Sequence, residues 1–492
     1  MYSITRLMLA PLAASILLAA GCVNYAGIDH QGKLLALGDA PSDSLKDKLP
    51  PAQWPRADWW TSLGDPRLGA LIEEAYASNP DLQEVAARVA KANAFLDLRD
   101  AERYPEMDAS AGVTRGRLSR FEDYSGEGEK YFTARNLAVN FSYTFDLWGG
   151  QRAAWESALN SARAAEVDLQ SSRLILAVNV AKAYNQLAYA WQVSELNQRD
   201  LERLSKLVEL TDSRYGSGLD NLSQLKQVQS LKARSESTLI GANEDIEIAR
   251  LQLSALIGKG VDRAHTLERP SNLQASVVAL PAQLPAQLLG RRPDIVAARW
   301  RVEAETKNVA AVKTSFYPNI NLVAAAGSHA LIGDAMFAGV SKFWNVAPTV
   351  SLPIFDAGRL RSDLKAGNAE LDSSIAQYNR VLNSALHEVA ISVTQLRSFE
   401  QQIVVQRDAC SIAQSSYDLS QSRYKAGEDT FLDALNIEQQ LIQDEMRLAF
   451  LNSKHIDSSV SLMAALGGGF QAPALGGGFQ APALETAQSG AL

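Results

Sequence analysis

An internal duplication is the feature of this sequence that most limits its fold. The segment from Arg214 to Gly218 recurs as Arg423 to Gly427, and the two arginines are 423 − 214 = 209 residues apart. Three more pairs of segments follow in matching order: "NPDL" (79–82) with "RPDI" (292–295), "RYPEM" (103–107) with "FYPNI" (316–320), and "YTFDLWGGQR" (143–152) with "LPIFDAGRLR" (352–361). The chain therefore consists of two copies of one structural unit.

Each copy contains an unusually long segment without helix breakers. Residues 106–269 and 354–472 lack proline; within them, 151–214 lacks glycine and 359–423 has a single one. Each of these windows predicts a helix roughly 95 Å long at about 1.5 Å per residue. A second helical run follows each duplicated motif, at about 221–257 and 430–465. We therefore predict two long helical hairpins, whose turns contain Gly218 and Gly427.

Alternating apolar and polar residues precede each hairpin. The pattern is clear at 136–146 and 345–356, and each segment has an upstream partner, about 107–119 and 319–328. Period-2 alternation predicts strands, although Pro348 and Pro353 argue against an interior position for the last one.

Four such strands match the pattern of a transmembrane β-barrel wall. Four strands cannot close a barrel, because about eight is the practical minimum. An open sheet edge cannot exist in lipid either. The chain must therefore share a barrel with its own copies: a dimer would supply eight strands and a trimer twelve. An eight-stranded barrel has its interior filled by side chains, which favours the trimer for a duct.

Composition argues against several other functions. The net charge is −8, from 47 basic and 55 acidic side chains, and no Lys/Arg-rich run is present. The sequence therefore lacks the basic patch that binding to a nucleic acid requires. The five histidines have no metalloprotease spacing, and "LIGKG" (256–260) lacks P-loop spacing. We expect no enzyme activity, no metal site and no cofactor. A soluble periplasmic coiled-coil scaffold or adaptor is the alternative from another class, but it does not explain the alternating segments.

The N-terminus has the pattern of an export signal. An uncharged apolar run at 7–20 follows Arg6, and "AAGC" (19–22) ends it. These small residues before Cys22 resemble the lipobox of bacterial lipoproteins, which implies a covalent lipid on Cys22. Ordinary signal cleavage with an incidental Cys22 is the alternative. The other cysteine, Cys410, lies in a helical window.

Taken in order, the duplicated motifs resemble those of the TolC/OprM outer-membrane efflux proteins, in their lipidated branch. The resemblance covers roughly residues 22–469 and also includes "DWWTSLGDPRLGALI" (58–72). It implies an α+β membrane protein: a homotrimer with a 12-stranded transmembrane β-barrel, an equatorial region and a 12-helix periplasmic α-barrel. It also implies a lipid-anchored position in the outer membrane of a Gram-negative bacterium.

The same resemblance implies a role as the exit duct of a tripartite pump for drugs or other small toxic compounds. Its partners would be a periplasmic adaptor protein and an inner-membrane pump of the RND type. Type I protein secretion and metal-ion efflux remain alternatives for the exported cargo.

The resemblance further implies a closed gate at the hairpin tips. Asp433 matches the family's constricting carboxylate and Tyr424 its tip tyrosine, while Ser223 and Gln224 face them from the first hairpin. Asp429 stands where the family has a gate arginine, and Gln224 replaces a facing aspartate. We expect Asp429 to lie one turn from Asp433 and to add to its field. Asp433 and Gln224 also fit helix capping.

The expected organisation of the chain has nine parts. In order they are a signal peptide (1–21), an acylated N-terminal segment (22–66), equatorial helices (67–106), a β-hairpin (107–146), a long α-hairpin (147–258), an equatorial connection and helix (259–316), a second β-hairpin (317–358), a second long α-hairpin (359–465) and a flexible tail with a tandem nonapeptide (466–492).

Overall fold

A computed structural model describes residues 24–35, 54–117, 119, 131–271, 273–275, 290–330 and 336–471. Its helices, in chain order, are α1 (Pro66–Ser78), α2 (Pro80–Ala101), α3 (Gly150–Gly216), α4 (Leu222–Ile257), α5 (Val261–His265), α6 (Pro293–Thr314), α7 (Arg359–Ala426) and α8 (Phe431–Ala465). The strands are β1 (Glu106–Arg117), β2 (Tyr131–Phe145), β3 (Asn319–Ala330) and β4 (Lys342–Ser351). Two short 3₁₀ helices cover Trp59–Leu63 and Gly339–Ser341.

The chain divides into two compact units. One, which we call the strand unit, comprises Met1–Leu34, Val89–Ala165 and Ala298–Tyr378. The other, the hairpin unit, comprises Leu35–Arg88, Glu166–Ala297 and Asn379–Leu492.

A four-stranded antiparallel sheet with the order β1-β2-β3-β4 lies in the strand unit. Its register places Phe141 opposite Met107 and Ala324, and Ala324 opposite Val346, so one face is apolar. The positions between these place Asn140 opposite Asp108 and Ala325, which makes the other face small and polar. The two-residue repeat thus gives the sheet one side suited to lipid and one suited to water.

The strand ends differ from the predicted ones for reasons of pairing. β2 begins at Tyr131 rather than 136, because β1 extends to Arg117 and pairs with it. β4 ends at Ser351 rather than 356, because its partner β3 begins at Asn319, opposite Ser351. Pro348 does lie inside β4, opposite Leu322 of β3, and β4 is one of the two outer strands of the sheet within this chain. Pro353 falls beyond the end of the strand.

The duplicated aspartates cap the two longest helices. Asp146 accepts hydrogen bonds from the backbone N–H groups of Gln151 (3.1 Å) and Arg152 (2.9 Å) at the start of α3. Asp356 accepts from Gly358 (2.9 Å) and Leu360 (2.8 Å) at the start of α7. The backbone donor of Leu360, ahead of the others, holds the pKa of Asp356 below its ordinary value. These carboxylates satisfy N–H groups that have no partner inside the helix.

The main core lies in the hairpin unit. It is built from apolar residues of the first 3₁₀ helix, α1, the middle of α3, the end of α4 and the end of α8, among them Leu63, Leu68, Ile72, Val180, Tyr184, Leu187, Leu253, Ile257 and Val460. Asp65, whose side chain is only 1% exposed, lies beside this core and caps α1.

The segment after α8 is part of the fold at its start. Leu466 is buried, and Gly467, Gly468 and Gly469 pack so closely against Arg291, Leu174 and Arg56 that a Cβ would clash. The predicted flexible tail therefore begins too early at 466. Residues 472–492, with most of the tandem nonapeptide, lie outside the described residues, as do the signal peptide and Cys22.

Candidate functional site: the two hairpin tips

Both hairpin tips end their first helix in the same way. Gly218 (φ +74°) and Gly427 (φ +79°) adopt the left-handed conformation that glycine tolerates best. Their N–H groups donate to the carbonyls of Tyr215 (2.9 Å) and Tyr424 (3.0 Å). The next residue in each tip donates to the carbonyl of the arginine, at 2.9 Å in both. This pair of bonds is a Schellman motif, and it explains why the duplicated motif keeps glycine four residues after arginine.

An arginine–aspartate ion pair closes each turn. Arg214 donates two hydrogen bonds to Asp220, at 2.8 and 3.1 Å, and Arg423 Nε lies 2.8 Å from Asp429 Oδ2. The hydrogen bond from Arg214 holds the pKa of Asp220 below its ordinary value. The bond to Asp429 raises the pKa of Arg423. Sequence reasoning missed these pairs, although the Arg-x5-Asp spacing is present in both copies.

This pairing changes the electrostatic role of Asp429. The expectation placed Asp429 one turn from Asp433, adding negative charge to the same field. Asp429 instead lies in the turn before the capping residue Thr430, and its charge is balanced by Arg423. Asp429 therefore adds little net negative charge to the tip.

Capping boxes begin the second helix of each hairpin. Asn221 accepts from the Gln224 N–H (3.0 Å), and the Gln224 side chain accepts from the Asn221 N–H (2.8 Å). Thr430 and Asp433 form the same reciprocal pair at 3.3 and 3.2 Å. Asp433 and Gln224 thus cap helices within one chain, as their sequence positions indicated. The gate role of Asp433 stays a separate prediction.

The aromatic and polar residues assigned to the gate are on the surface of the tips. Tyr424 is 42% exposed, and its ring lies 5.0 Å from that of Phe431. Ser223 is exposed as well. The Gln224 carboxamide oxygen accepts from the Asn221 N–H, so Gln224 caps its own helix.

Below the tips, a buried arginine joins the two hairpins. Arg203 of α3 is 3% exposed, pairs with Asp200 at 2.8 Å and donates to the Leu435 carbonyl of α8 at 3.2 Å. A small apolar cluster of Leu204, Leu207 and Leu435 surrounds this link.

The helices of the hairpin unit have a definite order. Ser194 bonds Asn243 between α3 and α4, Arg199 pairs with Glu445 between α3 and α8, and Gln406 bonds Asp444 between α7 and α8. The order is therefore α4–α3–α8–α7. Both outer helices expose apolar side chains: Leu231, Ile240, Ile248 and Leu251 on α4, and Ile391, Val405, Ile412 and Leu419 on α7.

Across the residues that the structure describes, no three His, Cys, Asp or Glu side chains are grouped to hold a metal ion. In the same ranges, no helix combines the length and apolarity needed to cross a bilayer.

Comparisons with known proteins agree with this architecture. The sequence profile of the family described as "Outer membrane efflux protein" matches residues 71–259 and 284–468. Multidrug resistance outer membrane protein MdtP of Escherichia coli (strain K12) is 28% identical over 95% of this chain and 98% of its own. Fusaric acid resistance protein FusA of Burkholderia cepacia is 33% identical over 74% of this chain and 69% of its own.

Solved structures show the same fold. The crystal structure of the outer membrane protein VceC from Vibrio cholerae aligns with a TM-score of 0.77 and 33% identity, covering 85% of this chain and 100% of that one. The CmeC outer membrane channel of Campylobacter jejuni aligns with a TM-score of 0.79 over 92% of this chain and 96% of its own. At 20% identity, CmeC supports the fold alone.

Proposed function

The chain belongs to the outer membrane efflux protein family and is an outer-membrane efflux channel, and we propose that three copies form the exit duct of a tripartite pump. The duct passes drugs or other small toxic compounds from the periplasm to the outside. The names of the relatives support this cargo class, since MdtP is a multidrug resistance protein and FusA a fusaric acid resistance protein.

The observation that carries the proposal is the four-stranded sheet with two open edges. Within the described residues, β1 and β4 each have a neighbour on one side only, and the sheet has an apolar face over its whole width. In lipid, each unpaired backbone group costs several kcal/mol, so these edges need partners. Other copies of the chain supply them, and three copies give enough strands to leave a water-filled interior.

The outer helices of the hairpin unit support assembly in the same way. On α7, Val405, Ile412 and Leu419 are exposed by 70%, 63% and 61% and repeat every seven residues. A seven-residue apolar repeat is the pattern of a helix that packs against another helix. Since α7 and α4 lie at opposite ends of the helix order, α7 of one copy would pack against α4 of the next.

The oligomeric state is directly measurable. In detergent, native mass spectrometry of the purified protein should give three chains, and Ile412→Glu with Leu419→Glu should shift the population toward monomers. Ile175 provides the matched control, because it is exposed on α3 and lies outside the α7 repeat: Ile175→Glu should leave the trimer intact. A wild-type protein that is a folded monomer or dimer would contradict the shared barrel.

The partners of the duct follow from its place in the envelope. The duct works with a periplasmic adaptor and an inner-membrane pump of the RND type, because a channel without an energy source cannot concentrate a cargo outside. The hairpin tips, with exposed Leu219 and Leu432, are the surfaces that would meet the periplasmic components.

A deletion strain tests the function. Loss of this chain in its native host should lower the growth-inhibitory concentrations of several unrelated toxic compounds, and the wild-type gene should restore them. The secreted protein profile and the tolerance to metal ions should stay the same. Unchanged drug tolerance together with a missing secreted protein would favour type I secretion, and a defect confined to metal ions would favour metal export.

Lipid attachment is a separate part of the proposal, supported by the sequence before Cys22. Cells grown with a labelled fatty acid should transfer the label to the wild-type protein, and Cys22→Ser should abolish the transfer. Because the strand edges are paired by protein and not by the anchor, trimers should still form without the lipid. Label that persists on the serine variant would place the modification elsewhere.

A further inference from the structure

The first described residues of the chain lie along α7 and are bound by its side chains. Arg361 Nη1 donates to the Asn24 carbonyl at 2.5 Å, and Asn368 Nδ2 donates to the Ile28 carbonyl at 3.3 Å. Further along, Asp372 accepts from the N–H groups of Gln31 (2.9 Å) and Gly32 (2.6 Å). We call these three α7 side chains the clip. Their spacings of seven and four residues put them on one face of the helix.

The clip holds the segment closely. Ile28 and Asn368 are both buried, and a Cβ on Gly32 would lie only 2.9 Å from Asp372 Oδ1 and 3.1 Å from Ile375 Cδ1. The N–H donors of Gly32 and Gln31 hold the pKa of Asp372 below its ordinary value, so the accepting carboxylate stays ionised at neutral pH. Residues 24–32 are therefore an integral part of the strand unit rather than a loose leader.

At its N-terminal end, the segment reaches a group of aromatic side chains beside the sheet. The hydroxyls of Tyr25 and Tyr317 lie 2.9 Å apart, and the Tyr25 ring meets Phe316 edge-on at 5.4 Å. Trp148 stacks on Tyr317 at 4.9 Å and donates to the Pro318 carbonyl at 2.7 Å. We call Tyr25, Trp148, Phe316 and Tyr317 the aromatic collar.

The collar lies at one end of two particular strands. Trp148 follows the end of β2 and Tyr317 precedes the start of β3. Tyr and Trp are the residues enriched where a barrel leaves the hydrocarbon for the headgroup region. Immediately beyond the collar, Phe145 is paired with Ile320 and Tyr143 with Leu322 on the apolar face.

Cys22 precedes Tyr25 by three residues, so covalent geometry keeps their α-carbons within about 11 Å of each other. We propose that the clip and the collar fix the lipid anchor in place, so that its acyl chains lie against the apolar face of β2 and β3 of the same sheet. This inference rests on the proposed lipidation of Cys22. The anchor is then a positioned part of the barrel wall and not a flexible tether.

A photo-crosslinking fatty acid tests the position of the anchor. Cells fed a diazirine-bearing palmitate would load it onto the chain; after illumination of the purified trimer, mass spectrometry would locate the crosslinked peptides. The expected result is that most crosslinks fall on β2 and β3. Crosslinks spread evenly over the four strands of the sheet would overturn the proposal.

Variants of the clip form the second part of the crosslinking experiment. In Asn368→Ala with Asp372→Ala, and separately in Gly32→Val, the share of crosslinks on β2 and β3 should fall to about half, which is what two of the four strands receive at random. Asp363→Ala is the matched control, because Asp363 is on the same helix but pairs with Arg359. Native mass and the amount of label should match the wild type in all of them.

Two further outcomes separate the possible failures. Hydrogen exchange at Gln31 and Gly32 should be slow in the wild type and fast in the clip variants, which shows that the clip itself was released. Crosslinks that stay on β2 and β3 after the clip is released overturn the role of the clip in positioning the anchor, while the lipidation of Cys22 stands. A wild-type chain without any label overturns the proposed lipidation and the anchor position together.

Discussion

Replacing Asp65 with alanine should lower the stability of the protein by about 2–4 kcal/mol, because a buried carboxylate that accepts charge-assisted hydrogen bonds and caps a helix is lost. The Asp65 side chain is 1% exposed and accepts hydrogen bonds from Arg67 (2.8 Å), Tyr184 (2.6 Å) and the Ser271 N–H (3.0 Å). The alanine variant leaves the guanidinium and the phenol without their acceptor next to the main core. It also removes the cap of α1. Thermal unfolding of the trimer in detergent measures the effect.

The loss of the Asp65 charge, rather than the loss of its side-chain volume, causes most of the predicted destabilisation. Burial by itself would raise the pKa of Asp65, but the hydrogen bonds from Arg67, Ser271 and Tyr184 outweigh it and hold the pKa well below its ordinary value. A carboxyl with a depressed folded pKa stabilises the protein fully above its unfolded pKa of about 3.9, and this contribution is lost as the pH falls through the folded pKa. The free energy of unfolding of Asp65→Asn should therefore lie below that of the wild type by a constant amount near neutral pH, and this difference should shrink only in strong acid.

Glu268 is the control from the same network. It lies 3.3 Å from Arg67 but is 79% exposed, and exposed ion pairs contribute only about 0–1 kcal/mol. Glu268→Ala should therefore unfold at nearly the wild-type temperature. If Asp65→Ala did so too, the buried network would have no role in holding α1 to α3.

Removing the charge of Asp433 should weaken the block of the channel by multivalent cations, on the order of tenfold in blocker concentration if three carboxylates surround one axis. Asp433 also caps α8, so its deletion would disturb the helix start. Asp433→Asn is the better variant, because asparagine keeps a capping oxygen and removes only the charge. Conductance and block in planar bilayers, with the blocker on the tip side, measure the change.

The Arg423–Asp429 pair gives this prediction a second variant with the opposite sign. Arg423→Ala frees the Asp429 carboxylate, so the cation block should become stronger. Asp429→Ala leaves Arg423 with only Glu428 at 4.0 Å, so the block should become weaker. If Asp433→Asn, Arg423→Ala and Asp429→Ala were all blocked at the same blocker concentration as the wild type, Asp433 would be only a helix cap. The constriction would then lie elsewhere.

The duplicated first tip supplies a matched control. Arg214 and Asp220 form the same closed turn, yet no carboxylate in that capping box corresponds to Asp433, because Gln224 occupies its position. Arg214→Ala and Asp220→Ala disturb a tip turn to the same extent and leave Asp433 and its neighbours unchanged. Their effects on block should be smaller than those of the second-tip variants.

Local features of the sequence determined most of the secondary structure. The long breaker-free windows became α3 and α7, and the alternating segments became a sheet with one apolar face. The glycines of the duplicated motif became helix-ending turns, and Thr430 and Asn221 became caps. Each of these depends on backbone preferences or side-chain spacing within a few residues, which a single sequence displays directly.

The tertiary structure alone decided which distant groups meet. Asp65 bonds Tyr184, 119 residues further along the chain; Arg203 reaches the carbonyl of Leu435; and Asp372 holds Gly32 across 340 residues. Strand ends were set in the same way, since β4 stops where β3 offers no further partner. Such contacts depend on how helices and strands pack, and an aspartate that will be buried has the same local signature as one that stays in water. The balance of charge at the tips was decided likewise, by the turn that brings Arg423 back onto Asp429.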